Sequence, residues 1–360
     1  MAVPYLASLN GIIPIISIML LAYFISVLLH LMVAEMVMRD GGEHQLVELF
    51  SKYLFRGRAG IFFTWTFFSL IAITFFALLA GYIVGCGDIL VELLGIPLWS
   101  GELLVYAVAA GVVFYGLKAV GISEKYAITG IAILLVFLSV WSFSRPFRTI
   151  PLFSGEFKEA LALYGMIMFS FSCFFSIPQT VEGLSWNKKM VPWSVATGIG
   201  INFIFVFIIT LMAMLVSEEV TEVAIIGWGD AVGSWALILG SLFALLAMLT
   251  SYWGVSYALA VIVKERLDWG YRVSWLCATL PTLFLALSGL TGFLGFMRIT
   301  GGGVAVLVAL MIVPALRASR KEGPVKEDVF RLGFWGNTVF QLVVITGYLV
   351  MAAGSVVSID

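Results

Sequence analysis

Three serines precede a proline in one apolar stretch of this 360-residue chain, where they could form a polar site inside a membrane. Ser170, Ser172 and Ser176 lie shortly ahead of Pro178. Proline cannot donate to the helical hydrogen-bond ladder and clashes with the preceding turn, so the pattern predicts a helix break. The freed backbone groups and helix ends could hold a zwitterion or a small cation. The alternative is a proline kink in which the serines bond back to carbonyl groups.

An adjacent pair of hydroxyl residues, Thr250 and Ser251, lies in the middle of another apolar stretch. Two hydroxyl oxygens with nearby carbonyl groups suit a hard cation such as sodium. Small hydroxyl residues also hydrogen-bond between membrane helices, and this structural role is the commoner one. The pair is therefore a candidate cation site with a packing alternative.

Tyr82 and Arg298 are two further polar residues in apolar surroundings. Tyr82 lies in a G-x-x-x-G frame at 81–85, and its hydroxyl could reach a substrate carboxylate or belong to an interfacial aromatic belt.

Arg298 stands alone as a basic residue within a predicted span, where charge is costly. It is a candidate external gate through a pair with an acid such as Asp88 or Asp230. Alternatively, it snorkels to the interface.

The other polar residues do not favour an enzyme. The cysteines, Cys86, Cys173 and Cys277, lie in apolar stretches without C-x-x-C spacing, and the histidines, His30 and His44, form no metal-binding pattern. No serine-histidine-acid set, carboxylate pair or phosphate loop can be assembled. The net charge is −1 and the sequence has no basic patch, so nothing in its charge predicts binding to nucleic acid. We predict a non-enzyme without metal or nucleic acid. For His30 we favour a packing role over a proton relay with Glu35, because residues five apart do not share a helix face closely.

The elements that must position these residues are membrane-spanning helices. The chain is 62% hydrophobic and 11% charged with a mean hydropathy of +1.09, whereas soluble domains carry roughly 25% charge. A spanning helix needs about 20 apolar residues. Charge-poor stretches predict ten complete helices: 11–34, 59–87, 103–117, 126–144, 160–181, 190–217, 231–263, two within 273–316 that divide at 288–292, and 332–358.

The connecting loops alternate in basic content. One set holds sixteen of the twenty lysines and arginines: 39–58, 118–125, 185–189, 264–272 and 317–331. Because loops rich in lysine and arginine face the cytoplasm, this set is predicted to be cytoplasmic and the sequence to encode a multi-pass protein of the cell membrane.

The first residues predict an incomplete element. With this orientation the helix that begins near Gly11 runs inward, and the apolar residues 1–10 have roughly half the length of a span. Residues 177–183 echo 3–11, because each has an apolar residue, a proline, a short helical stretch and a glycine. Paired interrupted segments of this kind indicate an inverted-repeat transporter. We therefore predict a first helix without its cytoplasmic half.

Several motifs together carry a family resemblance. They lie in order along most of the chain, at 2–5 with Ala7 and Gly11, at 34–39, at 45–53 as an amphipathic cytoplasmic helix, and at 81–88, 116–121, 169–184 and 250–254. On these motifs the chain resembles the amino-acid permeases of the amino acid-polyamine-organocation (APC) superfamily. It is most similar to the aromatic amino-acid (tryptophan/tyrosine) and amino acid/auxin permease branches.

The resemblance implies an all-α integral membrane protein. Its fold would be a five-plus-five inverted-repeat, leucine-transporter-like helix bundle plus one extra C-terminal helix. Residues 1–358 would form a single transporter domain: 1–10 as the partial first helix, 11–144 as the rest of the first repeat, 160–316 as the second repeat and 332–358 as the extra helix.

The resemblance also implies a substrate site between the broken first and sixth helices. It would place Thr250 and Ser251 at the coupling-cation site and Tyr82 facing the substrate. Five residues would line the substrate site: Phe169, Ser170, Phe171, Ser172 and Cys173. The sequence departs from the family in one respect. Residues 2–5 match an A-x-P-Y-like motif of the family, but the glycine-containing stretch that precedes this motif in the family has no counterpart here. Either Met1 is an internal methionine of a longer gene, or the protein is a variant.

The predicted function is uptake of an amino acid by cation-coupled alternating access. The coupling ion would be sodium or a proton, without another cofactor, and the partners would be a small-molecule amino acid and the lipid bilayer. The phenylalanines around the predicted break favour a hydrophobic or aromatic substrate. Two alternatives are a degenerate, non-transporting permease that acts as a membrane sensor or scaffold, and a transporter of another small solute on the same fold.

Overall fold

The regular structure of the chain is helical throughout its described parts. The computed structural model describes residues 3–42, 44–220, 224–300, 303–325 and 330–357. Its helices are α1 Val3–Ser8, α2 Ile12–Asp40, α3 Leu46–Tyr53, α4 Gly57–Leu94, α5 Leu98–Phe114, α6 Leu117–Ser142, α7 Phe157–Ser170, α8 Ile177–Gly183, α9 Val191–Val216, α10 Ala224–Val232, α11 Ser234–Leu267, α12 Tyr271–Leu287, α13 Phe293–Thr300, α14 Gly303–Glu322 and α15 Thr338–Val356.

The apolar helices fall where the hydropathy pattern predicts them. Within the described residues, seven helical segments are long and apolar enough to cross a membrane, and α5 and α12 are shorter apolar helices. The predicted division at 288–292 is confirmed, because α12 ends at Leu287 and α13 begins at Phe293. The chain is a multi-pass membrane protein with an all-α fold.

Two helices begin earlier than the charge-free stretches indicate. Helix α5 begins at Leu98 rather than at 103, and α6 begins at Leu117 rather than at 126. A helix can continue past the apolar core, so charged residues do not mark its end. As a result, the polar residues between 117 and 126 lie on a helix instead of in a loop, which matters for the site.

One end of the bundle brings together described residues of four basic loops, 39–58, 185–189, 264–272 and 317–331, because Lys188 reaches Gly41, Arg266 pairs with Glu48 and Arg56 pairs with Glu322. We call this end the basic face. Helix α3 packs there with an apolar side formed by Leu46, Val47, Leu49, Phe50 and Tyr53, as its amphipathic pattern predicts. Asp40 accepts hydrogen bonds from Tyr53 at 2.8 Å and from Lys52 at 2.5 Å. Burial, with the Asp40 hydrogen bond, raises the pKa of Tyr53, so its hydroxyl remains a donor. The arrangement fixes α3 across the ends of α2 and α4.

A buried ionic cluster at the basic face joins three parts of the fold. The side chain of Glu35 on α2 is fully buried and accepts a hydrogen bond from Arg39 at 2.9 Å. Both of its oxygens also accept from Arg320 of α14 at 2.8 Å, and the backbone N–H of Leu332 donates to it at 3.1 Å. The segment that leads into α15 is thereby attached to α2 and α14.

The opposite end is held together by backbone pairing across loops. The Ile12 and Ile13 N–H groups donate to the Pro151 and Leu152 carbonyls at 3.0 and 3.2 Å. Gly11 makes this approach feasible, because a Cβ there would lie 2.5 Å from the Leu152 carbonyl oxygen. The start of α2 is therefore fastened to the loop that precedes α7.

Candidate functional site

The apolar segment 157–183 is interrupted near its centre. Helix α7 ends at Ser170, a single 3-10 turn covers Phe174–Ser176, and α8 begins at Ile177. Pro178 occupies the first turn of α8, where the missing N–H has no intrahelical partner to lose. The interruption predicted ahead of this proline is therefore present, and it lies in non-helical backbone rather than in a kink.

The serine hydroxyls at and just after the end of α7 donate back to carbonyl groups of that helix. Ser170 Oγ lies 2.7 Å from the Ile167 oxygen and Ser172 Oγ lies 2.9 Å from the Met168 oxygen. This is the back-bonding that sequence reasoning named as an alternative. It uses each hydroxyl's one hydrogen, so the oxygen lone pairs remain available as acceptors.

His30 of α2 accepts a hydrogen bond from the interrupted backbone. Its Nδ1 lies 2.6 Å from the Ser26 carbonyl oxygen, and its Nε2 lies 3.0 Å from the Cys173 backbone nitrogen. A carbonyl only accepts and a backbone N–H only donates, so the geometry assigns the proton to Nδ1 and leaves Nε2 as the acceptor. His30 is fully buried, as the packing prediction requires, and its ring also satisfies a donor that the break releases.

Four other backbone groups at the break have no hydrogen-bond partner among the described residues, and we call them the open groups. The Ser170 carbonyl accepts a hydrogen bond from Asn202 Nδ2 of α9 at 2.8 Å. Among the described residues, none donates a hydrogen bond to the Phe171 or Ser172 carbonyl, and none accepts one from the Phe174 or Phe175 N–H. The break therefore presents acceptors and donors within a few residues of each other, which is the combination that a zwitterion needs.

Aromatic rings surround these open groups. Phe175 contacts Phe75 of α4 edge-on with ring centroids 4.8 Å apart, and Phe174 lies 6.0 Å from the His30 ring. Phe171 is fully buried and packs against Phe203, so its side chain anchors the break in the core of the bundle. Phe169 is half-buried, whereas Cys173 is exposed. The five predicted lining residues are adjacent, but their side chains have different environments.

Helix α11 packs against the interrupted segment and carries the two residues that are predicted to bind a cation. The hydroxyls of Thr250 and Ser251 donate to the same acceptor, the Ala247 carbonyl, at 2.9 and 3.0 Å. The Tyr82 hydroxyl of α4 lies beside Ser251. One turn further along α11, the Gly254 carbonyl accepts a hydrogen bond from Gln179 of α8 at 3.1 Å. This contact links α11 directly to the interrupted segment.

Sequence reasoning missed an acidic residue at this junction. Glu124 of α6 faces Gly254, because a Cβ built on that glycine would lie 3.3 Å from a Glu124 carboxylate oxygen and 3.9 Å from Ser176 Oγ. Treating 118–125 as a loop removed Glu124 from consideration. The signal was helical spacing, since Glu124 lies between Val120 and Ala127 on a buried stripe that continues at Ile131, Leu135 and Leu138.

Arg298 lies on the backbone of α13, but its side chain falls outside the described residues, as does that of Asp230. An external gate formed by Arg298 stays a prediction.

Two solved structures resemble this arrangement along almost its whole length. MhsT, in complex with L-phenylalanine, superposes with a TM-score of 0.69 at 15% identity, covering 98% of this chain and 94% of MhsT. Mhp1, a nucleobase-cation-symport-1 family transporter in a closed conformation with bromovinylhydantoin bound, superposes with a TM-score of 0.67 at 15% identity, covering 99% of this chain and 87% of Mhp1.

The chain has the leucine-transporter-like fold. The predicted fold class is thereby confirmed. No protein-family model and no curated protein sequence matches the chain. At 15% identity the structural likeness establishes the fold alone, so substrate, ion and family branch must be argued from the site.

Proposed function

We propose that this protein is a secondary transporter that moves an amino acid across the cell membrane by cation-coupled alternating access. The observation that carries the proposal is the interruption between α7 and α8, which leaves backbone donors and acceptors without partners among the described residues of a leucine-transporter-like bundle. In a membrane, such backbone is tolerated where it lines a cavity or meets a polar ligand. An amino-acid carboxylate would meet the N–H groups and its ammonium group would meet the carbonyls.

The surroundings of the break favour a hydrophobic or aromatic side chain on the substrate. Phe169, Phe174 and Phe175 border the open groups, and Phe174 and Phe175 are almost fully buried. In this proposal Ser170, Ser172 and Cys173 line the site beside Phe169, Tyr82 faces it, and Phe171 supports it from the core. The fold of MhsT, solved with L-phenylalanine, agrees with this choice, as does the motif resemblance to APC-superfamily permeases.

We assign the coupling ion to the junction of α6, α8 and α11. Thr250 and Ser251 offer oxygen lone pairs, and the Glu124 carboxylate adds a negative charge within reach of Ser176. A carboxylate with hydroxyl and carbonyl oxygens suits sodium, and the same carboxylate can bind a proton. Residues 11–144 and 160–316 would act as the two repeats, with 1–10 as a partial first helix and 332–358 as an added helix.

The exposed residue Cys173 at the break permits a direct test. Cys173 is exposed, Cys86 is buried and Cys277 is intermediate, so a Cys277→Ser variant leaves Cys173 as the most accessible of the cysteines. We expect L-phenylalanine to slow alkylation of Cys173 in proteoliposomes in proportion to site occupancy, and a sodium or proton gradient to drive its accumulation. Labelling that no amino acid slows, together with no gradient-driven uptake, would contradict the proposal.

A second candidate substrate follows from the likeness to Mhp1, which was solved with bromovinylhydantoin bound. A planar heterocycle with ring N–H and C=O groups could also pair with the open donors and acceptors of the break. Protection of Cys173 by hydantoins or nucleobases, but not by amino acids, would favour it. Protection without gradient-driven transport of any of these solutes would favour the sensor alternative.

A further inference from the structure

A groove of about 670 Å³ opens on the outside of the bundle near the basic face, away from the interrupted helix. One side of α2 forms its inner wall, the beginning of α9 forms a second wall, and the segment 330–335 ahead of α15 forms the third. The lining residues that carry the argument are Phe24, Leu31, Lys188, Lys189, Trp193 and Trp335.

The walls of the groove are apolar and face outward. Trp193 is 71% exposed and Trp335 is 49% exposed, and Phe24 packs edge-on against Trp335 with ring centroids 5.9 Å apart. Tryptophans are enriched where a membrane helix meets the headgroup region. The groove therefore lies at the depth where the acyl chains of one leaflet meet their headgroups.

The end of the groove nearest the basic face is positively charged. Lys189 is exposed, and Lys188 is partly buried with its ammonium group 3.3 Å from the Gly41 carbonyl oxygen. Arg331 also lines this end. The polar end and the apolar walls are continuous, so one amphipathic molecule with a negative headgroup would satisfy both.

We infer that this groove binds an anionic phospholipid from the leaflet at the basic face. Its phosphate lies between Lys188 and Lys189, and its acyl chains follow the apolar side of α2 past Trp193. Basic pockets between membrane helices are a recurrent form of anionic-lipid recognition. Charge complementarity selects the anionic lipid over a zwitterionic one, and the apolar walls select a lipid over free phosphate.

Lipid in the groove also bears on the attachment of α15. The third wall contains Leu332, whose backbone N–H donates to the buried Glu35 carboxylate at 3.1 Å. A lipid that packs against 330–335 holds this segment in place and stabilises the folded protein by mass action. The inference does not depend on which solute is transported.

The test is thermal unfolding of the full chain in a neutral detergent during titration with phosphatidylglycerol or with phosphatidylcholine of the same acyl chains. We expect phosphatidylglycerol to raise the Tm at concentrations where phosphatidylcholine and free glycerol phosphate do not. Native mass spectrometry should show the anionic lipid retained. Equal effects of the two lipids, or an effect of free glycerol phosphate alone, would overturn the inference.

Charge variants locate the effect. Each lysine near a membrane surface contributes about fivefold to anionic-lipid affinity, so Lys189→Gln should weaken binding about fivefold and the double variant Lys188→Gln/Lys189→Gln about 25-fold. Lys188 also donates to Gly41, whereas the exposed Lys189 offers a variant without that structural contact.

The matched control is Lys118→Gln/Lys125→Gln, which removes the same charge from two exposed lysines of α6 that do not line the groove. It should leave the affinity unchanged. An equal loss in the control, or no loss in Lys189→Gln and the double variant, would show that the lipid responds to overall charge or binds elsewhere.

Discussion

At the scale of single residues, the feature that most defines the site is a histidine that replaces a lost helical hydrogen bond. Non-helical backbone within a membrane bundle is stable only if its polar groups find partners or line a cavity. His30 supplies an acceptor for the Cys173 N–H while its own Nδ1 donates to the Ser26 carbonyl. One side chain on α2 thereby sets the backbone conformation of a segment more than a hundred residues away.

Replacing this acceptor should destabilise the break. In His30→Leu the Cys173 N–H loses its acceptor against a buried side chain, and an unsatisfied donor of this kind costs about 1–3 kcal/mol of folding free energy. Thermal unfolding in detergent should show the loss, and alkylation of Cys173 should lose its dependence on substrate. His30→Gln, which keeps an acceptor oxygen, is the control and should retain part of the protection. If His30→Leu has the stability and labelling of the natural chain, the hydrogen bond does not support the break.

Glu124 is the residue at which ion coupling can be tested separately from solute binding. Glu124→Gln keeps the size of the side chain but removes its negative charge. We expect solute exchange to continue and gradient-driven accumulation to fall at least tenfold, since loss of a charge at an ion site costs upwards of about 1.4 kcal/mol. Both can be measured in the same proteoliposomes. The exposed acid Glu92 provides the control Glu92→Gln. Normal accumulation by Glu124→Gln would remove Glu124 from the coupling site.

At the scale of elements, α7 and α15 pack at backbone distance. A Cβ on Gly354 would lie 2.2 Å from the Leu161 carbonyl oxygen, and a Cβ on Gly165 would lie 2.9 Å from the Gly354 backbone. The two glycines let these helices approach closely, as small residues do in membrane bundles. Helix α15 thereby holds α7 immediately ahead of its interruption.

Gly354→Ala should therefore separate the two helices. The added methyl group has no space, and overpacking of this kind costs about 1–3 kcal/mol, which unfolding in detergent would report. Gly198→Ala is the matched control, because a Cβ at Gly198 in α9 meets nothing within 4 Å. It should be neutral or slightly stabilising, since alanine favours a helix. Equal stability of the two variants would show that the α7 and α15 backbones can move apart freely.

Two ion pairs at the basic face should differ in strength because they differ in burial. The Glu35 side chain is fully buried between Arg39 and Arg320, whereas the Arg56–Glu322 pair is largely exposed. Glu35→Ala leaves the arginines without their shared partner and should cost about 3 kcal/mol, whereas Glu322→Ala should cost less than about 1 kcal/mol. Hydrogen exchange at 330–337 should increase in the first variant alone. Similar exchange in both would mean that Glu35 does not fasten the segment ahead of α15.

At the scale of the whole molecule, the contacts at each end of the bundle agree with the alternation of basic loops. Arg266 pairs with Glu48 at 3.0 Å and Lys188 reaches Gly41, which places three predicted cytoplasmic loops together. At the other end, the Arg148 side chain donates to the Ser217 carbonyl at 3.0 Å, and Arg145 donates to that of Val232. The contacts at the basic face thus join loops that the sequence assigns to one side.

Orientation in the membrane should follow the basic loops. In a background without native reactive thiols, Lys118→Cys should react with an impermeant thiol reagent only after cells are opened, whereas Lys158→Cys should react in intact cells. Both lysines are exposed, so access rather than burial determines the result. The reverse pattern would invert the predicted topology and with it the leaflet that supplies the groove lipid.

The sequence by itself determined where the apolar cores of the helices lie, their order and the position of the interruption. Apolar length sets where a helix can cross a membrane, and Pro178 sets where a helix can begin again, so both are local properties of the chain. The division of the span at 288–292 and the amphipathic α3 follow from the same local rules.

Only the tertiary structure decided which polar groups meet. Sequence reasoning did not consider Glu124, because helices extend beyond the charge-free stretches that were used to place them. Its position beside Gly254 depends on how α6 packs against α11. His30 gained its role through contact with Cys173, and α15 gained its attachment through Glu35 and the glycines of α7. Such pairings join residues far apart in the chain, and their energies depend on distances that helix packing alone establishes.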